Sequence, residues 1–238
     1  MLYKLYSFII ALPLFCVATI ITALIVIIAA LCGDRTYTCY YLPRLWSRVT
    51  LWLFLIPVHV EGRENVDKSQ SYVFLANHQG YFDIFLLYGY LGHNFKWMMK
   101  EYLKALPFAG LACQASGQIF VGESRSSIQN ALEQADKTLR KGMSMVIFPE
   151  GTRSEDGEMV PFKRGAFTLA SQINLPITPI TINGSFKVFN RHAWSVTRHP
   201  LRLTIHPAIT PEERQGLPTK QLMQQTFDII HNDLDVNA

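Results

Sequence analysis

Hydrophobic and polar positions are spread unevenly along this chain, and the unevenness predicts its elements. From Ser7 to Gly33, "SFIIALPLFCVATIITALIVIIAALCG", no charged residue interrupts the apolar run. A helix of about 20 apolar residues crosses a bilayer, so residues 1–33 read as a transmembrane anchor. A cleaved secretory signal fits less well, because its apolar core is only about 7–15 residues long. The next stretch, "YYLPRLWSRVTLWLFLIP" (40–57), mixes Trp46 and Trp52 with leucines and with Arg44 and Arg48. It is short and basic for a second span. Residues 34–57 therefore read as an interfacial or membrane-proximal helix with aromatics at headgroup depth, an ordinary core helix being the other reading. Pro57 should end that helix.

Beyond residue 57 the pattern alternates. "YVFLAN" (72–77) reads as a buried strand, "DIFLLYGYLG" (83–92) as a helix and "GQIFVG" (117–122) as another strand. Ser124 should cap a helix whose apolar positions Ile128, Ala131, Leu132, Ala135 and Leu139 recur at helical spacing, with Gly142 as its stop. "MSMVIF" (143–148) is strand-like, "RGAFTLASQI" (164–173) helix-like, and "PITPITI" (176–182) a strand with edge or bulge character from its prolines. "LRLTIH" (201–206) reads as a strand and "TKQLMQQTFDIIHNDL" (219–234) as an amphipathic helix. Strands alternating with helices predict an α/β sandwich with a largely parallel sheet, occupying residues 58–238 as one domain.

Charge refines this picture. There are 22 basic and 18 acidic residues, largely interspersed, for a net charge of +4. No arginine-rich stripe or recognition-helix pattern occurs, which argues against nucleic acid as a partner. A basic membrane-proximal body favours anionic lipid or phosphorylated substrates. Lys4 precedes the apolar run, whereas Arg35, Arg44 and Arg48 follow it, so the body should face the cytoplasm. The four cysteines show no paired spacing, and His59, His93, His192, His199, His206 and His231 are scattered. No metal site is expected from them.

The candidate chemistry begins at "LANHQGYFDIF" (75–85). On a continuous helix His78 and Asp83 would sit roughly 140° apart and could not meet. A strand–turn–helix corner removes that limit: His78 leaves the strand, Gly80 gives the bend its freedom, and Asp83 falls in the first helical turn, where free N–H groups favour a carboxylate. A carboxylate bound to one imidazole nitrogen fixes the tautomer and leaves the other nitrogen as a base. Such a pair suits deprotonation of an alcohol. By itself the spacing also fits a buried structural histidine. No GxSxG elbow supplies an enzyme serine, so the nucleophile could be a substrate hydroxyl.

A second group, "MVIFPEGTRS" (145–154), ends an apolar strand with Pro149, Glu150, Gly151, Thr152 and Arg153. Ligands of open α/β sheets bind beyond the carboxyl ends of strands, so a parallel arrangement would bring both loops to one crevice. Arg153 offers a planar fork suited to phosphate and Thr152 a hydroxyl. Glu150 could orient the arginine or accept a substrate hydroxyl. A surface turn with a solvated ion pair is the alternative.

These stretches together resemble the lysophosphatidic acid (1-acylglycerol-3-phosphate) acyltransferase family. "NHQGYFD" is similar to its His-x4-Asp block, "FPEGTRS" to its Phe-Pro-Glu-Gly-Thr-Arg block, "LPITPITING" to its fourth block, and "KEYLKALPFAG" (100–110) to a Lys-x-x-Leu-x-x-x-Pro-x-x-Gly segment of many members. The resemblance spans roughly residues 57–210. It implies a glycerolipid acyltransferase-like fold and transfer of a fatty acyl group from acyl-CoA or acyl carrier protein to lysophosphatidate, giving phosphatidate. His78 would be the general base and Asp83 its orienting partner. Arg153, helped by Lys100, would bind the glycerol phosphate, with Glu150, Gly151 and Thr152 shaping the site. No cofactor is implied; the acyl carrier is a co-substrate. One block departs: where members often carry an arginine, "GQIFVGESR" has Glu123, and Arg125, Lys163 or Arg164 could replace it. That departure leaves room for another lysolipid or a lipid amino acid as acceptor. Outside this chemistry stand a non-catalytic, membrane-tethered lipid-binding protein and a membrane hydrolase.

Overall fold

The structure, a computed structural model, describes residues 2–35, 38–140 and 142–235. Its N-terminal helix runs without a break from Leu2 to Leu31, 30 residues long and apolar enough to cross a membrane. It comprises α1 (Leu2–Tyr6), a π-helical turn (Ser7–Ala11) and α2 (Leu12–Leu31). Pro13 lies in the first turn of α2, just after the widened π turn, which accommodates a residue with no N–H to donate.

The chain reverses at Cys32 and Gly33 into α3 (Thr38–Leu53), whose start is capped by Asp34 Oδ2 accepting Thr38 N at 2.7 Å. The two long helices form an antiparallel hairpin. Tyr3 OH donates to Phe54 O and Tyr6 OH to Leu53 O, both at 2.8 Å. Trp46 Nε1 donates to Thr19 Oγ1 at 3.0 Å, and Phe15 and Phe85 pack against the Trp46 ring. The helix ends ahead of Pro57, contrary to expectation. Leu55 takes φ 53°, and Leu55 N and Ile56 N bond back to Trp52 O and Leu51 O. That closure satisfies the final carbonyls without the proline.

Seven strands follow: β1 (Val58–Glu61), β2 (Val73–Ala76), β3 (Phe95–Lys100), β4 (Ile119–Val121), β5 (Ser144–Ile147), β6 (Ile177–Asn183) and β7 (Leu201–Ile205). They form one sheet in the order β1-β7-β6-β2-β5-β3-β4. Every neighbouring pair is parallel except β6–β7, so β1 and β7 run against the other five. The remaining helices are α4 (Phe82–Tyr90), α5 (Ala109–Ala115), α6 (Arg125–Leu139), α7 (Gly165–Ile173), α8 (Ser185–Phe189) and α9 (Thr219–Asp233). Both faces of the sheet are covered, which is why the central strands β2, β5 and β6 are buried at every position. In β2, Phe74 and Ala76 point into the core beneath α3 and α4, while Val73 and Leu75 point into the opposite core with α6, α7 and α9.

The expected strand at 176–182 is present but is not an edge. β6 lies between β7 and β2 and is buried throughout. Pro179 is tolerated because the β7 ladder begins only at Ile180↔Ile205, and Pro179 O still accepts His206 N at 3.0 Å. Two strands had no sequence forecast. "VHVE" forms β1 at the sheet margin. "FKWMMK" forms β3 with Lys96 buried, its amine donating to Arg35 O and Ser116 O at 2.7 and 2.6 Å.

Candidate active site

His78 leaves the carboxyl end of β2. The residue before it continues the sheet with its side chain: Asn77 Nδ2 donates to Ile182 O at 2.9 Å and Asn77 Oδ1 accepts Ile182 N at 2.7 Å. This buried amide fixes the end of β2 against β6 as a peptide group would. The chain then bends at Gly80, where a Cβ would lie 2.7 Å from Ser185 O and 2.9 Å from Phe189 O. Only glycine allows the turn to approach α8 so closely.

The bend brings Asp83, in the first turn of α4, under His78. Asp83 is fully buried, and its Oδ2 accepts Gln79 N at 2.7 Å and Gly80 N at 2.9 Å and lies 2.7 Å from His78 Nδ1. With two backbone donors already on Oδ2, that oxygen is an acceptor, so the proton of the third bond sits on Nδ1. Nε2 is left with its lone pair as the basic atom. The ring stacks on Phe148, centroids 3.8 Å apart and planes 6° from parallel.

The loop after β5 meets this corner. Glu150 is buried, and its two oxygens accept His78 N at 2.8 Å and Val160 N at 2.9 Å. Ser154 N donates to His78 O at 2.8 Å. The backbone of His78 is thus held from both sides by residues of the 149–154 loop. Burial, reinforced by the nearby Asp83 charge, outweighs the two N–H bonds and pushes the Glu150 carboxyl up to about 7.

Arg153 lies over the Tyr81 ring, its guanidinium carbon 3.7 Å from the centroid. Stacking fixes the plane and leaves the N–H edge for an anion. Gly151 takes φ 70°, and a Cβ there would fall 2.7 Å from Lys163 Nζ, so a lysine amine borders this loop. Thr152 is exposed. Lys100 is exposed at the carboxyl end of β3, on the same edge of the sheet, and no hydrogen bond among the described residues joins it to His78, Asp83, Glu150 or Arg153. Glu123, Arg125 and Arg164 are exposed. Among the described residues no group of three or more His, Cys, Asp or Glu is placed to hold a metal.

Sequence reasoning missed Phe148, Tyr81 and Ser154. Neither aromatic has a residue type that by itself marks a site. Their one available signal was position, Phe148 immediately before the PEGTR loop and Tyr81 inside the His-x4-Asp interval.

Fold and site define a mostly parallel α/β protein with a His–Asp pair and an arginine loop at the carboxyl edge of its sheet. A family model described as Acyltransferase matches residues 57–183, and the chain belongs to that family. A chloroplastic 1-acyl-sn-glycerol-3-phosphate acyltransferase of Brassica napus is 30% identical over 208 residues, covering 82% of this chain and 60% of the relative. The chain thus spans about 60% of the length of that relative. A 1-acyl-sn-glycerol-3-phosphate acyltransferase of Helicobacter pylori is 33% identical over 160 residues, covering 66% of this chain and 67% of the relative. The crystal structure of the 1-acyl-sn-glycerophosphate (LPA) acyltransferase PlsC from Thermotoga maritima superposes with a TM-score of 0.80 at 25% identity, covering 97% of this chain and 92% of that one.

Proposed function

We propose that this protein transfers a fatty acyl group from an acyl thioester, carried by coenzyme A or acyl carrier protein, to the free hydroxyl of 1-acyl-glycerol-3-phosphate, giving phosphatidate. The observation that carries the reading is the 2.7 Å contact between His78 Nδ1 and Asp83 Oδ2, beside the loop that bears Arg153. His78 Nε2 takes the acceptor's hydroxyl proton as that oxygen attacks the thioester carbonyl. Asp83 stabilises the imidazolium that results. The tetrahedral intermediate then collapses, the C–S bond breaks, and the imidazolium returns its proton to the departing sulfur. Proton and acyl group are both accounted for without a resident cofactor.

Arg153 binds the acceptor phosphate through its N–H edge, with Thr152 and Gly151 lining the same loop and Lys100 adding positive charge from β3. Glu150 acts as a positioning residue, since one of its oxygens accepts His78 N while the other is anchored by Val160 N. The apolar outer faces of α2 and α3, including Ile21, Ile28 and Trp52, seat the protein in the membrane with its body on the cytoplasmic side. Lipid acceptor and thioester donor then meet at the interface, where orientation alone can remove about 7–11 kcal/mol of the barrier.

The test is a panel of lysolipid and lipid amino acid acceptors with both donors, read by mass spectrometry. Acylation of lysophosphatidate ahead of the other acceptors supports the assignment. Preference for another acceptor would redirect it, and Glu123, standing where relatives often carry arginine, is the feature that favours including the others. Release of free fatty acid without any acceptor would replace transfer with hydrolysis.

A further inference from the structure

We propose that the loop at residues 190–199 is a second membrane contact, in which Trp194 inserts at headgroup depth and neighbouring cations meet anionic lipid. The inference rests on the membrane-seated reading above. Trp194 is 98% exposed, a placement that leaves nearly the whole indole against water. Tryptophan is the side chain most at home at a membrane–water boundary, with an apolar ring and one N–H to satisfy.

Charge points the same way. No Asp or Glu occurs between Glu158 and Glu212, whereas Lys187, Arg191, Arg198 and Arg202 lie in that interval with His192 and His199 on the loop itself. Arg202 is turned inward to Asp233 at 2.9 Å, and Glu155 from the neighbouring loop pairs with Arg191 and with His192. Arg198 remains exposed, so the loop presents positive charge beside its indole. Basic groups of this kind are drawn to an anionic leaflet.

Position supplies a second, independent argument. Arg198 Nε donates to Leu55 O at 3.0 Å, which ties the loop to the corner where α3 ends beside the start of α1. That corner exposes Leu2, Trp52 and Leu55, so the loop is continuous with the apolar surface of the helix hairpin. At its other end Phe189 packs on Tyr81, 5.2 Å between centroids, and Tyr81 carries Arg153. The loop is ordered by Thr197 N donating to Val188 O and His192 N to Asn190 Oδ1, both at 2.9 Å. It therefore bridges the membrane-facing corner and the arginine loop, and its insertion would set the mouth of the site at headgroup level. An acidic carrier protein could also meet the cations, but the bare indole continuous with an apolar face favours lipid.

The test uses the full-length protein reconstituted in phosphatidylcholine vesicles with increasing phosphatidylglycerol, comparing wild type with Trp194→Phe and Arg198→Gln. The emission present in wild type and missing from Trp194→Phe should move to shorter wavelength and lose more than half its intensity when the vesicles carry brominated acyl chains. Arg198→Gln should weaken the dependence of that quenching on phosphatidylglycerol. If the protein floats with the vesicles while the Trp194 emission stays aqueous and unquenched, the loop proposal is overturned and the helix anchor stands. If the protein does not float at all, the membrane reading fails and the loop proposal with it. A Trp194 response to acyl carrier protein but not to lipid would overturn it in favour of protein docking.

Discussion

Asp83 Oδ2 gathers Gln79 N, Gly80 N and the His78 ring on one buried oxygen, and this convergence fixes the tautomer of the imidazole. Asp83→Asn keeps the shape but cannot stabilise an imidazolium. It should lower kcat by about 10²–10⁴-fold with the acceptor KM little changed, as measured by steady-state kinetics. Arg153→Lys replaces a planar fork on Tyr81 with a point charge, and should raise the acceptor KM while sparing that of the donor. Glu150 gives a prediction on stability. Its carboxyl lies near 4.5 ordinarily and near 7 in the fold, so between those values the folded protein holds the proton more tightly than the unfolded chain. The stabilisation is therefore complete below about 4.5 and is lost as pH rises through about 7. Glu150→Gln should flatten the fall in thermal midpoint across that window. At pH 7 it should also cost about 1–3 kcal/mol, because an amide nitrogen then faces one of two buried N–H donors. His78, Asp83 and Arg153 were legible as residue types in a pattern. The engagement of Glu150 was not, because its partners are backbone N–H groups that no side-chain pattern records.

At the scale of elements, the site depends on how tightly one turn packs. Gly80 places the start of α4 against α8, and Gly80→Ala would drive a methyl into Ser185 O and Phe189 O. The variant should lose about 1–3 kcal/mol and, with the His78–Asp83 register disturbed, much of its turnover; thermal melts and kinetics on one preparation separate the two effects. Periodicity made α4, α6, α7 and α9 legible, and Ser124 caps α6 as its position implied, its hydroxyl accepting Ser127 N at 3.1 Å. It misjudged β6 because proline is disfavoured in sheet centres by its missing donor. Here that donor would face the margin of β7, just beyond the antiparallel ladder. It overlooked β3 because Lys96 reads as a surface residue. The two carbonyls that allow its burial come from the α2–α3 turn and the end of α5, far away in sequence.

At the scale of the molecule, the N-terminal hairpin is part of the body. Trp46 joins α3 to α2 and α4, and the apolar outer faces of the two long helices remain uncovered. The protein should therefore stay with the membrane fraction through washes with concentrated salt and alkaline carbonate, and leave it only in detergent; release by salt alone would reduce the attachment to surface charge. The measurement that bears most directly on the whole account is the initial rate of phosphatidate formation from an acyl thioester and lysophosphatidate by purified wild type and His78→Ala, with thermal melts to compare their folding. The account predicts a fall of about 10²–10⁴-fold or more in turnover with the melting transition retained. A folded His78→Ala protein that turns over at the wild-type rate would contradict it.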